Sequence, residues 1–154
     1  MLFVKFLYDF DKDVENFIRG AHSKNNPKPT ILHQKYIDTY GERFEKVAVE
    51  RFIKEFTAET NFDPQSTLSS IGSNWKIIEQ SFAERAEKMF AYALSGPQPR
   101  AYLSVSPRST YRIEDGYFFV YARSKVPNRS IMHELLHFYT WYALHAELLS
   151  RGAS

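Results

Sequence analysis

Ile131-Met132-His133-Glu134-Leu135-Leu136-His137-Phe138-Tyr139-Thr140-Trp141 is the stretch that decides how this chain is understood. Its centre is His-Glu-x-x-His, and residues four apart on an α-helix stand one turn above each other on one face. From that spacing two imidazoles can reach a single metal ion, at zinc–nitrogen distances of about 2.0–2.1 Å. The intervening glutamate can polarise a water held by the same ion. The surroundings read as helix. Pro127 and Asn128 suggest a loop and an N-cap, Arg129 to Ser150 contains neither proline nor glycine, and Gly152 offers a stop. Apolar residues from Ile131 through Leu135, Phe138, Leu144 and Leu149 occupy nearly every side, which predicts a buried helix. Two histidines and a carboxylate in such surroundings need partners, and a metal ion with its water would supply them. The competing reading is a trio satisfied by hydrogen bonds and water within a core.

Upstream lies Gly116-Tyr117-Phe118-Phe119-Val120-Tyr121-Ala122-Arg123, rich in the aromatic and β-branched residues of a strand. Motif and strand together resemble the zincin metallopeptidases, over roughly Arg100 to Leu149. The resemblance implies a zinc cofactor held by His133 and His137, with Glu134 as the catalytic general base. It implies a peptide or protein substrate, and an upper-edge strand running along the cleft.

A catalytic zinc site takes three protein ligands plus water. Ala143 stands where metzincins place a third histidine, and Thr140 where they place a glycine. His145 and Glu147 lie about 12 and 15 Å along the helix axis from His137, beyond coordination range. His33, Glu114 and Asp115 are isolated polar residues that read as solvated surface. In the gluzincin branch the third ligand is a glutamate on a separate downstream helix, and the sequence reaches Ser154 before one. The expectation is therefore a fragment or short relative of a longer zincin, or a ligand supplied from upstream or by a second subunit. The alternative function is a catalytically inactive zincin-like binding or regulatory module that lacks this ligand. A third reading is an interaction protein whose exposed aromatics meet a partner.

Composition narrows the field. The chain has 154 residues, enough for one domain with its own core. It has no cysteine, which excludes disulfides and thiolate zinc sites and fits a reducing compartment. Residues 1–99 carry 13 Lys+Arg against 14 Asp+Glu, and residues 100–154 carry 7 against 4, for nets of −1 and +3. Neither is a nucleic-acid footprint. The start, Met1 to Asp9, lacks the basic opening and cleavage site of a signal peptide, and no apolar run approaches a membrane span. The expectation is a soluble, cytoplasmic protein.

Along the chain, residues 2–8 read as a strand, and Asp11 as the cap of a short helix closed by Gly20. Pro27 and Pro29 mark a loop, Thr30 caps a helix through Tyr40, and Phe44 to Phe56 shows an apolar stripe. Asp63-Pro64 starts another helix. Gly72-Ser73-Asn74 separates it from a longer one, Trp75 to Ala93, ended by Gly96 to Pro99. Residues 101–105 and 117–122 read as strands, with Asp115-Gly116 turning a hairpin. The sum is one α+β domain: a mainly helical part over 1–95, then over 100–154 a small sheet with an edge strand and a buried metal-binding helix. Tyr111, Arg112 and Arg123 are candidates to stabilise an oxyanion, whereas Phe138, Tyr139, Trp141 and Tyr142 read chiefly as packing.

Overall fold

The structure is a computed structural model describing residues 2–90 and 97–152. Strand β1 (Lys5–Leu7) leads into four helices, α1 (Phe10–Ala21), α2 (Ile31–Tyr40), α3 (Lys46–Glu59) and α4 (Pro64–Phe90). Strands β2 (Arg100–Ser104), β3 (Tyr111–Arg112) and β4 (Tyr117–Tyr121) follow, then helix α5 (Pro127–Ser150). Among the described residues this is a mixed α and β architecture, compatible with the α+β class. The expected end of α4 at Ala93 and Gly96 lies outside the described residues. No helix among the described residues is long and apolar enough to cross a membrane.

The sheet has the order β1-β2-β4-β3. β1, β2 and β4 are parallel, and β3 runs antiparallel to β4. Parallel neighbours need a long return path. Residues 105–116 supply it without a helix, because β3 runs back along the outer side of β4 before the hairpin. Gly116 closes that hairpin at φ +76, a backbone state that suits glycine. The side-chain period of two sorts the strands. Leu103, Phe118 and Val120 face a core shared with Trp75 of α4 and with Ile131, Leu135 and Phe138 of α5. Tyr102, Tyr117 and Phe119 form a cluster on the other side, where Tyr117 Oη donates to Glu15 of α1 at 2.7 Å. A second core joins Phe17, Tyr36, Val49, Phe52 and Ile53 of α1 to α3 with Val105.

Several local readings need correction. Asp9, not Asp11, caps α1, accepting from Lys12 N at 3.0 Å. The strand expected over 2–8 contracts to Lys5–Leu7, although Leu2 and Val4 remain buried. Gly72 does not split α4. Leu68, Ile71, Trp75, Ile78 and Phe82 continue one apolar stripe through it, and their burial outweighs the ~1 kcal/mol a helical glycine costs. α5 begins at Pro127 with Val126 before it, so Asn128 is inside the first turn rather than its cap. Nor is α5 buried all round: Leu144, Leu148 and Leu149 are exposed. The sheet edges are β1 and β3 rather than the Tyr117–Ala122 segment, which is paired on both sides over its first residues.

Candidate metal site

α5 presents two faces with different tasks. Ile131, Leu135, Phe138 and Tyr139 recur at helical spacing and are fully buried, with Phe82 and Phe90 of α4 packed on the Tyr139 ring. His133 and His137 fall on the side turned away from Ile131 and Leu135, at about 100° of rotation per residue. His133 is exposed and His137 half-buried. Glu134 sits between the two faces, only 9% exposed.

The imidazoles converge. His133 Nε2 and His137 Nε2 are 3.2 Å apart, with their rings nearly perpendicular. Two nitrogens each about 2.0–2.1 Å from one tetrahedral zinc ion would be separated by about 3.3–3.4 Å. The observed gap thus fits two occupants, a shared metal ion or one N–H···N hydrogen bond. Burial, and secondarily the neighbouring His133, hold the His137 pKa below its ordinary value, favouring the neutral imidazole that a metal requires. Tyr111 of β3 stacks on the His137 ring at 4.9 Å between centroids and 17° between planes, closing one side of the site.

Glu134 is the unsatisfied member. Its Oε2 is buried with no hydrogen-bond partner among the described residues. Burial pushes its carboxyl up to about 7, because desolvation disfavours the charged form. A proton acceptor near neutrality suits general base work. Glu134 and His133 open onto one groove of about 410 Å³, which Pro107, Ser109, Val126, Arg129 and Ser130 also line.

The chain from β2 to β3 that forms this groove's other wall is tied down from α1. Asp13 is fully buried and accepts from Ser104 Oγ at 2.6 Å, from Val105 N at 3.1 Å and from Tyr8 Oη at 3.3 Å. Asn16 donates to Ser104 Oγ and to the Arg108 carbonyl, and accepts from Thr110 N and Oγ1. Arg108 donates to the carbonyls of Gly20 and Lys28, both at 2.6 Å. A Cβ on Gly20 would stand 3.4 Å from Arg108 Cβ and from His33 Cε1, so glycine permits this close approach. Nothing in the local sequence of Asp13 or Asn16 announces this function, since all their partners except Tyr8 lie some 90 residues away.

The remaining expectations resolve by placement. His33 is buried in a core, its Nε2 2.8 Å from the Phe17 carbonyl and its Nδ1 2.7 Å from Thr30 Oγ1. The carbonyl partner requires Nε2–H, so Nδ1 accepts from the threonine and His33 is saturated. Asp115 pairs with Arg112 at 3.1 Å, which leaves neither at the groove. The Arg123 guanidinium lies over Phe56, 5.4 Å from the ring centre. Of the three oxyanion candidates only Tyr111 reaches the histidines. His145 stacks loosely on Trp141, and Glu147 pairs with Arg151. Among the described residues no group of three His, Cys, Asp or Glu side chains could hold a metal ion.

Comparison with known proteins brings no relative: no family model, no curated protein and no solved structure matches this chain.

Proposed function

We propose that the groove between α5 and the segment joining β2 to β3 is a zinc-dependent hydrolytic site acting on peptide bonds, on a zincin-like scaffold. The observation that carries this reading is the pairing of two Nε2 atoms 3.2 Å apart with a buried carboxyl, one residue along, whose Oε2 has no partner among the described residues. The donor set suits zinc, whose ligands include neutral imidazole nitrogen. His133 and His137 would hold the ion through Nε2. When bound, zinc supplies Lewis acidity that polarises a carbonyl and acidifies water toward neutral pH. Glu134 Oε2 takes a proton from the attacking water and delivers it to the leaving amine nitrogen as the carbon–nitrogen bond breaks. Tyr111 holds the His137 ring in plane. A peptide is the substrate expected of a groove beside a short, exposed edge strand. The cysteine-free sequence supports action in a reducing compartment such as the cytoplasm.

A second reading has its own observation. With two histidines and no third ligand among the described residues, the site also suits a binding or regulatory module that retains the scaffold without turnover.

Metal analysis and hydrolysis separate the two. The purified protein should carry about one zinc per chain, lost in His133→Ala and His137→Ala. Glu134→Gln should keep the metal while hydrolysis of a fluorogenic peptide library falls about 10²–10⁴-fold. A folded wild-type protein that neither retains nor binds zinc would overturn the proposal. Zinc binding without any hydrolysis would favour the binding module.

A further inference from the structure

A second groove, of about 480 Å³, adjoins the candidate metal site and shares Pro107 with it. Ile31, Phe56, Pro107 and Tyr121 give it an apolar lining, and Lys35 and Arg123 are the charged residues that line it. Among the described residues no carboxylate lines it. Ile31 is 87% exposed, far more than an isoleucine without a partner usually is. Neither Lys35 nor Arg123 forms an ion pair among the described residues. Arg123 is held by its contact with the Phe56 ring, so its position is fixed by an aromatic face rather than by an acid. The groove also meets the start of α2, where Thr30 caps the helix and the first turn carries no acidic residue. The free amides and dipole there add further positive potential. The carboxylates Asp38, Glu55 and Glu59 line a different groove, which shares Lys35 and Phe56 with this one. They offset part of the Lys35 charge, which leaves Arg123 as the principal cation.

We propose that this groove binds an acidic peptide segment, seating an apolar side chain on Phe56 and Tyr121 and a neighbouring carboxylate at Arg123 and Lys35. The combination selects against its rivals. A purely apolar ligand would leave two cations desolvated without a partner. A polyanion such as nucleic acid would need a basic stripe, and two cations lining one groove do not make one. Because Pro107 belongs to both grooves, a peptide lying in one extends toward His133 and Glu134 in the other. That the bound segment is part of a substrate rests on the zinc-hydrolase reading, whereas the binding itself does not.

The test is fluorescence anisotropy with a fluorescein-labelled peptide of alternating Leu and Asp, against the same peptide with Asn for Asp. The Asp peptide should bind about tenfold or more tightly than the Asn peptide, and added salt should erode the difference. Arg123→Gln should reduce that preference about tenfold, and Lys35→Gln by a smaller factor. Both residues are exposed, so circular dichroism should report an unchanged fold. Equal binding of the two peptides, or a preference untouched by Arg123→Gln, would overturn the proposal. His133→Ala, with its zinc content measured separately, should bind the Asp peptide as wild type does. Zinc loss there with the preference intact supports the groove. Absence of zinc from the wild-type protein refutes only the hydrolase, and loss of the charge preference refutes only the groove.

Discussion

Replacing Asp13 by asparagine should stabilise this protein at neutral pH, against the usual direction for a fully buried polar residue. Asp13 is 0% exposed, and burial raises its carboxyl from the ordinary 3.8 to about 6, against the opposing bonds from Ser104, Val105 and Tyr8. An acid whose folded pKa is raised keeps its proton in the native state while the unfolded chain has released it. Stability therefore falls as pH rises from about 4 through about 6. A shift of about two units corresponds to about 3 kcal/mol at neutral pH. Asp13→Asn removes that loss, because an amide does not titrate. The amide keeps an acceptor for Ser104 Oγ and Val105 N, and its NH₂ can donate to Tyr8 Oη, so only the longer 3.3 Å bond from Val105 N to the second carboxyl oxygen is given up. The two proteins should be nearly equal in stability near pH 4 and should diverge by about 2–3 kcal/mol at pH 7. Urea unfolding followed by tryptophan fluorescence, with Trp75 fully buried as the reporter, measures this at each pH. A variant less stable than wild type at pH 7, or a difference that does not change with pH, would refute the reasoning.

Glu134→Gln should act in the same direction in metal-free protein, because burial pushes this carboxyl from 4.5 up to about 7. The gain of about 3 kcal/mol should be complete only above pH 7 and absent near pH 4, as the same unfolding titration would record. Tyr111→Ala should weaken zinc binding about two- to tenfold by freeing the His137 ring, given the 0.5–1.5 kcal/mol typical of a stacked aromatic pair; competition with a zinc chelator reads this, and unchanged affinity would remove Tyr111 from the site. Leu135→Ala should cost about 2–5 kcal/mol, since Leu135 is wholly buried between α5 and the sheet core; chemical denaturation showing a loss under about 1 kcal/mol would contradict that packing.

The parts of this protein legible from sequence are those set by neighbours a few positions away. A helical period brings His133 and His137 together whatever the rest of the chain does, and Thr30, Pro64 and Gly116 act on their own turns. The helix-interrupting reading of Gly72 fails for a related reason: a glycine weakens a helix by a small, fixed amount, while the stripe from Leu68 to Phe82 is stabilised by a sheet that the local sequence does not contain. Hydrophobic content along α5 could not say which side would be covered. α4 and the sheet cover the side bearing Ile131, Leu135 and Tyr139, leaving His133 at a groove with His137 half-buried beside it, and Leu144, Leu148 and Leu149 exposed.

Tertiary structure alone decided that β3 rather than β4 forms a sheet edge, that Tyr111 faces His137, and that Pro107 and Ser109 wall the groove opposite Glu134. It also decided that Asp13 and Asn16 brace that wall, through bonds to Ser104 and Thr110. Each of these is a meeting of segments distant in the chain. Such meetings depend on which buried surfaces fit together and which polar groups must be satisfied there, and neither quantity belongs to any one segment.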